Sequence, residues 1–204
     1  MRIQYTTVWC DPMTKRLTAQ DWIEFGLKTL LRDGFEALKA DVLARKLGVS
    51  RGSFYWHFSD LGAFHARVIE HWKQAATEAI IADLAAYQSP EERLEVLLQR
   101  AFGHHSMLEV RLRAWADQNA EAARAIRDVD RRRRDYMERL LAEAGVAPEV
   151  AATRAQLLYW AYLGAALSRK KLAGESLVQI VGELKRIGFG VQATGRRSAR
   201  GRPA

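Results

Sequence analysis

The stretch KADVLARKLGVSRGSFYWHF, residues 39–58, constrains this chain more than any other. It reads as a helix, a sharp corner and a second helix. Val42, Leu43 and Leu47 recur at three- and four-residue spacing, which gives the first helix one apolar face. Gly48 permits the left-handed backbone that a tight helix–helix corner often needs. Val49 is apolar inside the turn, so it should plug the space between the helices. Ala44 is small enough to let their backbones approach. Ser50 is placed to cap the second helix, over about Arg51 to Phe58, and Phe54 and Phe58 should anchor it inward from one face. A helix presented at such a corner enters the major groove of DNA, with its first residues against the base edges. Arg51 and Ser53 are thus the candidate base readers, or phosphate contacts. Gly52 lets the helix approach closely, Tyr55 and His57 can donate to phosphate, and Trp56 offers a flat apolar edge.

The rest of the chain repeats the helical period. Thr18, with Asp21 three residues on, opens a helix whose face carries Trp22, Ile23, Leu27, Leu30 and Leu31, and Gly34 stops it. Asp60 caps a long helix with Phe64, Val68, Ile69, Trp72, Ala76, Ile80 and Leu84 inward. Ser89-Pro90-Glu91-Glu92 starts another, which runs through Phe102 and resumes through Leu108, Leu112 and Trp115. Further helices are expected over about 120–144, 148–172 and, past Gly174, to about 189. No segment alternates like a strand. The spacing predicts an all-α fold of about nine helices. It divides into an irregular arm (1–16), a DNA-binding domain (17–70), a larger helical domain (71–190) and a basic, disordered tail (191–204).

Composition narrows the classes. With 204 residues, 49% hydrophobic and 27% charged, the chain can bury a sizeable core and is neither collagen-like nor wholly disordered. No uncharged apolar run approaches the roughly 18 residues of a membrane span. The first residues lack the pattern of a secretory leader, so a cytoplasmic location without a membrane partner is expected. The lone Cys10 can form neither an internal disulfide nor a multi-cysteine zinc site. His104 and His105 point about 100° apart on a helix, and no HExxH motif accompanies them, so no metal is expected. No phosphate-cradling glycine loop or local nucleophile–base pair points to an enzyme or a cofactor. The net charge of +8 suits a polyanionic partner, but four of those charges are Arg196, Arg197, Arg200 and Arg202, leaving a body of only +4. Arg131 to Arg134 point around their helix and read as a solvated face paired with Asp128, Asp130, Asp135 and Glu138.

LARKLGVSRGSFYWHF resembles the signature of TetR-family transcriptional regulators, and the leading helix with LTAQDWI and the Gly34 stop fit as well. The resemblance is detailed over the first third of the chain and architectural beyond it. It implies a homodimer that binds a palindromic double-stranded DNA operator and lets go when a small molecule binds the helical core. One position departs. Where the family has a lysine that contacts phosphate, this chain has Leu61, within Ser59-Asp60-Leu61-Gly62. Lys15, Arg16 or Lys39 could take over that contact.

The effector site is expected among Phe102, His105, Met107, Trp115, Tyr136, Tyr159, Trp160 and Tyr162. These are soft or amphipathic residues whose polar ends need partners when buried. They suit a largely apolar ligand with a few polar groups. For dimerisation, Leu157, Ala161, Gly164 and Ser168 form one stripe, with small residues that admit a partner helix. Leu177, Ile180, Val181 and Leu184 form a second, continued by Ile187. Either stripe could instead pack within one chain. A constitutive or architectural DNA-binding protein without a ligand switch is the alternative reading.

Overall fold

The computed structural model describes residues 17–103, 107–168 and 172–190. Lys15, Arg16, His104, His105 and the tail arginines lie outside the described residues.

Among the described residues the fold is all-helical, without strands. The order is α1 (Ala19–Asp33), a short 3-10 turn (Phe35–Ala37), α2 (Ala40–Leu47), α3 (Arg51–Tyr55), α4 (Leu61–Lys73), a π-turn (Gln74–Glu78) and α5 (Ala79–Leu84). α6 (Pro90–Gly103), α7 (Met107–Ala116), α8 (Ala120–Glu143), α9 (Pro148–Ser168) and α10 (Gly174–Phe189) follow. Lys73, Gln74, Glu78 and Ala79 all keep right-handed helical angles. α4, the π-turn and α5 therefore form one continuous rod, and the ten α-helices make about nine rods, as the periodicity predicts. None of these helices is long and apolar enough to cross a membrane.

Local chemistry sets the helix starts. Thr18 and Asp21 form a capping box, with Asp21 N donating to Thr18 Oγ1 at 3.2 Å and Thr18 N to Asp21 Oδ2 at 2.8 Å. Asp60 Oδ1 accepts from Ala63 N at 2.8 Å, Ser89 Oγ from Glu92 N at 3.1 Å, and Asn119 Oδ1 from Ala122 N at 2.8 Å. Gly174, read from the sequence as a break, is the first residue of α10, with φ +57°.

Two apolar cores form. The first joins α1 to α4 with α7 and the N-terminal half of α8, around Trp22, Leu43, Phe54, Phe64, Trp115 and Ile126. α1 and α4 cross at Gly26, where a Cβ would stand 2.7 Å from Phe64 Cζ. The second core surrounds Leu94, Leu98, Met137, Leu140, Leu158 and Leu184, on α6, α8, α9 and α10. α8 serves both: Ala122 to Val129 belong to the first core and Tyr136 to Leu141 to the second.

Candidate DNA-reading helix and apolar cavity

The corner before α3 is built from backbone. Gly48 adopts φ +69° and ψ 25°, and Val49 N donates to Ala44 O at 3.0 Å, closing the turn. Val49 packs against the first core. Ser50 occupies the N-cap position in extended conformation, but its side chain makes no capping bond, contrary to the sequence expectation. Its carbonyl starts the helix instead, accepting from Ser53 N at 3.0 Å. The α-helix ends at Tyr55, three residues short of the expected Phe58. Trp56 N and Phe58 N still donate four residues back, to Gly52 O and Phe54 O, at 3.1 Å each.

Phe54 fixes this short helix. It is fully buried, with the rings of Trp22, Phe58 and Phe64 at centroid distances of 5.4, 5.1 and 5.2 Å. The opposite face is left outward. Arg51, Gly52, Tyr55 and Trp56 are exposed, Trp56 by 72%, while Ser53 and His57 are half-buried. Arg51 Nη2 donates to Tyr55 OH at 3.0 Å, and its guanidinium lies 5.3 Å from the Tyr55 ring centre. The two side chains thus hold one another in place. A Cβ on Gly52 would meet only Ser50 Oγ, at an ordinary 3.7 Å, so packing within the chain does not require glycine there. Lys39 is exposed at the start of α2 and pairs with Glu36 at 3.7 Å. Leu61 packs its side chain against the first core, which is the physical use of the position where a lysine was expected.

Between the π-turn, α5, α6, α8 and α9 lies a cavity of about 410 Å³. Its wall includes Phe102, Tyr136, Tyr159 and Tyr162 from the sequence expectation, with Ile80, Leu97 and Met137 beside them. Met107, Trp115 and Trp160 do not line it. Trp115 is buried in the first core, stacked on Phe35 at 4.8 Å, because α7 turns that face toward α1. Trp160 is 61% exposed. It follows Tyr159 by one position, about 100° around α9, and so points away from the cavity.

Arg133 is one of two charged lining residues, with Arg100, that sequence reasoning missed. Read as part of a solvated run, it is instead largely buried. It donates to Glu109 Oε2 at 3.1 Å, Thr77 Oγ1 at 3.3 Å and Ala76 O at 3.2 Å. Val129, Arg133, Tyr136, Met137 and Leu140 share the helical spacing of a single face, and that spacing was the available signal. Arg131 does pair with Asp128, at 2.6 Å, whereas Arg132 reaches Glu78 at 2.9 Å and Arg134 reaches Gln156 at 2.9 Å. Behind the wall, Arg113 bridges Glu109 at 2.7 Å and Asp130 at 2.6 Å, and Tyr159 OH donates to Asp130 at 2.6 Å. Burial alone would lower the pKa of both arginines, but the carboxylates beside them outweigh it and hold both charged. Burial and then the Glu109 charge push the Tyr162 phenol up to about 12. The wall therefore presents neutral hydroxyls and fixed guanidinium charge.

The two stripes nominated for dimerisation part company. On α9, Leu157, Gly164 and Ser168 are exposed and Ala161 is half-buried. Val150, Trp160 and Leu167 extend the exposed face, a continuation the sequence reading missed. On α10, Val181 and Leu184 are buried in the chain's own second core, and Leu177 and Ile180 pack against it. That stripe covers α6 and α9 instead of facing out, and α10 turns Val178 and Ile187 to the surface.

Comparison with known proteins agrees with this geometry. The sequence profile described as "Bacterial regulatory proteins, tetR family" matches residues 23–60. No curated protein matches the chain. A putative transcriptional regulator of the TetR/AcrR family shares the fold at a TM-score of 0.70, with 24% identity over 83% of this chain and 97% of that one. NemR of E. coli in its reduced form follows at 0.69, with 22% identity over 83% and 96%. FadR from Bacillus subtilis, in complex with stearoyl-CoA, reaches 0.62, with 14% identity over 85% and 98%. Residues 23–60 thus carry the DNA-binding domain of the tetR family of bacterial regulatory proteins, and the described helices beyond them share the all-helical architecture of solved regulators.

Proposed function

We propose that this regulator is a repressor that binds a palindromic operator as a homodimer and leaves it when a small molecule occupies the cavity. The observation that carries the reading is the continuous rod from Leu61 to Leu84. It begins just after α3, and its far half supplies Ala76, Thr77, Ile80 and Ile81 to the cavity wall. Movement of that wall has a direct mechanical route to the reading helix. A ligand acts by binding better to a form whose two reading helices are misspaced. About 10⁴-fold differential affinity would swing an operator from nearly full to nearly empty. In the DNA-bound dimer the reading helices would sit about 34–36 Å apart, one turn of duplex. Lys15, Arg16 and Lys39 are the proposed accessory phosphate contacts.

The second copy is proposed to dock on the exposed face of α9, with Val178 and Ile187 of α10 alongside. Gly164 allows close approach there. A Cβ at Gly164 meets nothing within 4 Å in its own chain, so Gly164→Glu should leave the fold intact and give a soluble monomer with lost operator affinity. Wild-type protein that sediments as a monomer at micromolar concentration would sink the dimer.

Selection of bound DNA from a random pool tests the whole reading. A palindromic consensus is expected, and gel shifts with it should disappear on addition of an effector found by screening. No enriched sequence would remove operator recognition. An enriched sequence whose complex no ligand releases would leave a constitutive binder.

A further inference from the structure

The cavity wall is sided in charge. Its charged residues among those described are Arg100 and Arg133, and no carboxylate lines it. Glu109 and Asp130 neutralise Arg113 and Arg133 from behind, out of the cavity's reach. The Arg133 guanidinium carbon lies over the rings of Trp72 and Tyr162, 5.9 and 5.6 Å from their centres. A guanidinium has five N–H groups. The donations of Arg133 include those to Glu109 and to the uncharged Thr77 hydroxyl and Ala76 carbonyl.

We infer that the cavity takes an amphipathic carboxylate, with its head on Arg133 and its apolar tail among Ile80, Leu97, Phe102 and Met137. This rests on the reading of the cavity as an effector site. At about 30 Å³ per non-hydrogen atom, a cavity of about 410 Å³ holds a molecule of roughly a dozen such atoms. A cation there would meet guanidinium N–H groups and no lining acid. A neutral head would gain only ordinary hydrogen bonds, whereas a carboxylate makes charge-assisted ones, about twice as strong.

The same contact reaches the rod. The two neutral acceptors that the ligand would compete with, Ala76 O and Thr77 Oγ1, both belong to the π-turn. On its outer side the turn is held separately, by Arg132 on Glu78. A carboxylate that draws Arg133 off the inner side loosens the one irregular turn in the rod, where helical hydrogen bonds can re-register.

Titration calorimetry on the full chain, with decanoate, decanol and decyltrimethylammonium as probes, tests the ligand class. Decanoate should bind at least tenfold tighter than decanol, and the cation weakest. Arg133→Gln should erase decanoate's advantage while Arg133→Lys keeps part of it. Leu97→Trp, which fills the cavity, should abolish binding. Where Arg133→Gln fails to fold, the head-group series on the wild type and Leu97→Trp still decide. Equal or inverted head-group preference overturns the inference, as does decanoate binding that survives Leu97→Trp unchanged. Hydrogen exchange at amides 79–82 should quicken with decanoate, and unchanged exchange removes the link to the π-turn. Gel shifts run in parallel separate the two readings. Arg133-dependent binding without DNA release sinks the switch and keeps the ligand class. Release by another ligand, without a carboxylate preference, does the reverse.

Discussion

The core beneath α3 and the core around the cavity meet on α8, and they close in different ways. In the first, rings without hydroxyls interlock: Trp22, Phe54, Phe58 and Phe64 pack edge to face or tilted at 5.1–5.4 Å. In the second, the rings facing the gap are mostly tyrosines, and an arginine stands among them. A tyrosine hydroxyl or a guanidinium must keep its polar partners, so it cannot collapse into apolar space. Rings with no tethered polar end close up into a platform for α3, whereas tethered polar ends hold a wall open. The ionic cluster of Glu109, Arg113, Asp130 and Arg133 lies at the seam, between the two halves of α8.

The sharpest way to break this contrast is to truncate one ring in each core. Phe54→Ala should cost about 3–5 kcal/mol, because it opens a void in a closed core. Phe102→Ala, beside space that is already empty, should cost roughly 1–2 kcal/mol. Urea unfolding of both variants measures the difference, and equal losses would mean that the cavity is closed in solution. Next, Glu109→Gln tests the seam. Glu109 is 1% exposed and serves both Arg113 and Arg133, so its loss leaves buried positive charge short of a partner. A loss of about 3 kcal/mol is expected, again from urea unfolding. An unchanged midpoint would show that Asp130 alone balances both arginines.

Smaller effects should separate platform from surface. Tyr55→Phe should weaken DNA binding by about 1 kcal/mol on every sequence alike, leaving stability unchanged. Fluorescence anisotropy on several operators reads this, and a loss confined to one base position would make Tyr55 part of base reading. The least effect expected is a pH dependence confined to the first core. His65 packs edge-on against both Phe35 and Trp115, with Nε2 2.9 Å from Leu38 O. Burial lowers its pKa, only partly offset by that bond and by the Glu121 charge. The unfolded chain therefore takes up a proton, near its ordinary pKa of about 6.5, before the folded chain does. This contribution is full above that pH and is lost as pH falls through it. His65→Gln should flatten the fall in melting temperature between pH 7.5 and 5.5, and an unchanged slope would place the titration elsewhere.

Much of the architecture is legible in the sequence because it is local. Thr18 with Asp21, Ser89 with Glu92, and Gly48 before Ser50 act within one turn of chain, so residue order alone set where helices begin and corners fall. Phe54 and Phe58, four residues apart, likewise announced their inward face, and with it the outward face of Arg51, Tyr55 and Trp56. An apolar stripe, however, says that a face is covered and not by what. Trp115 could face the cavity or the first core. Val181 and Leu184 could face a second copy or their own α6. Arg133 could be one more solvated arginine or the polar end of a cavity. Those choices depend on groups far apart in the chain: Glu109 and Thr77 lie 24 and 56 residues from Arg133. Only the tertiary packing brought them together, because a buried charge takes its place from the partners that neutralise it, and no period in the sequence encodes those partners.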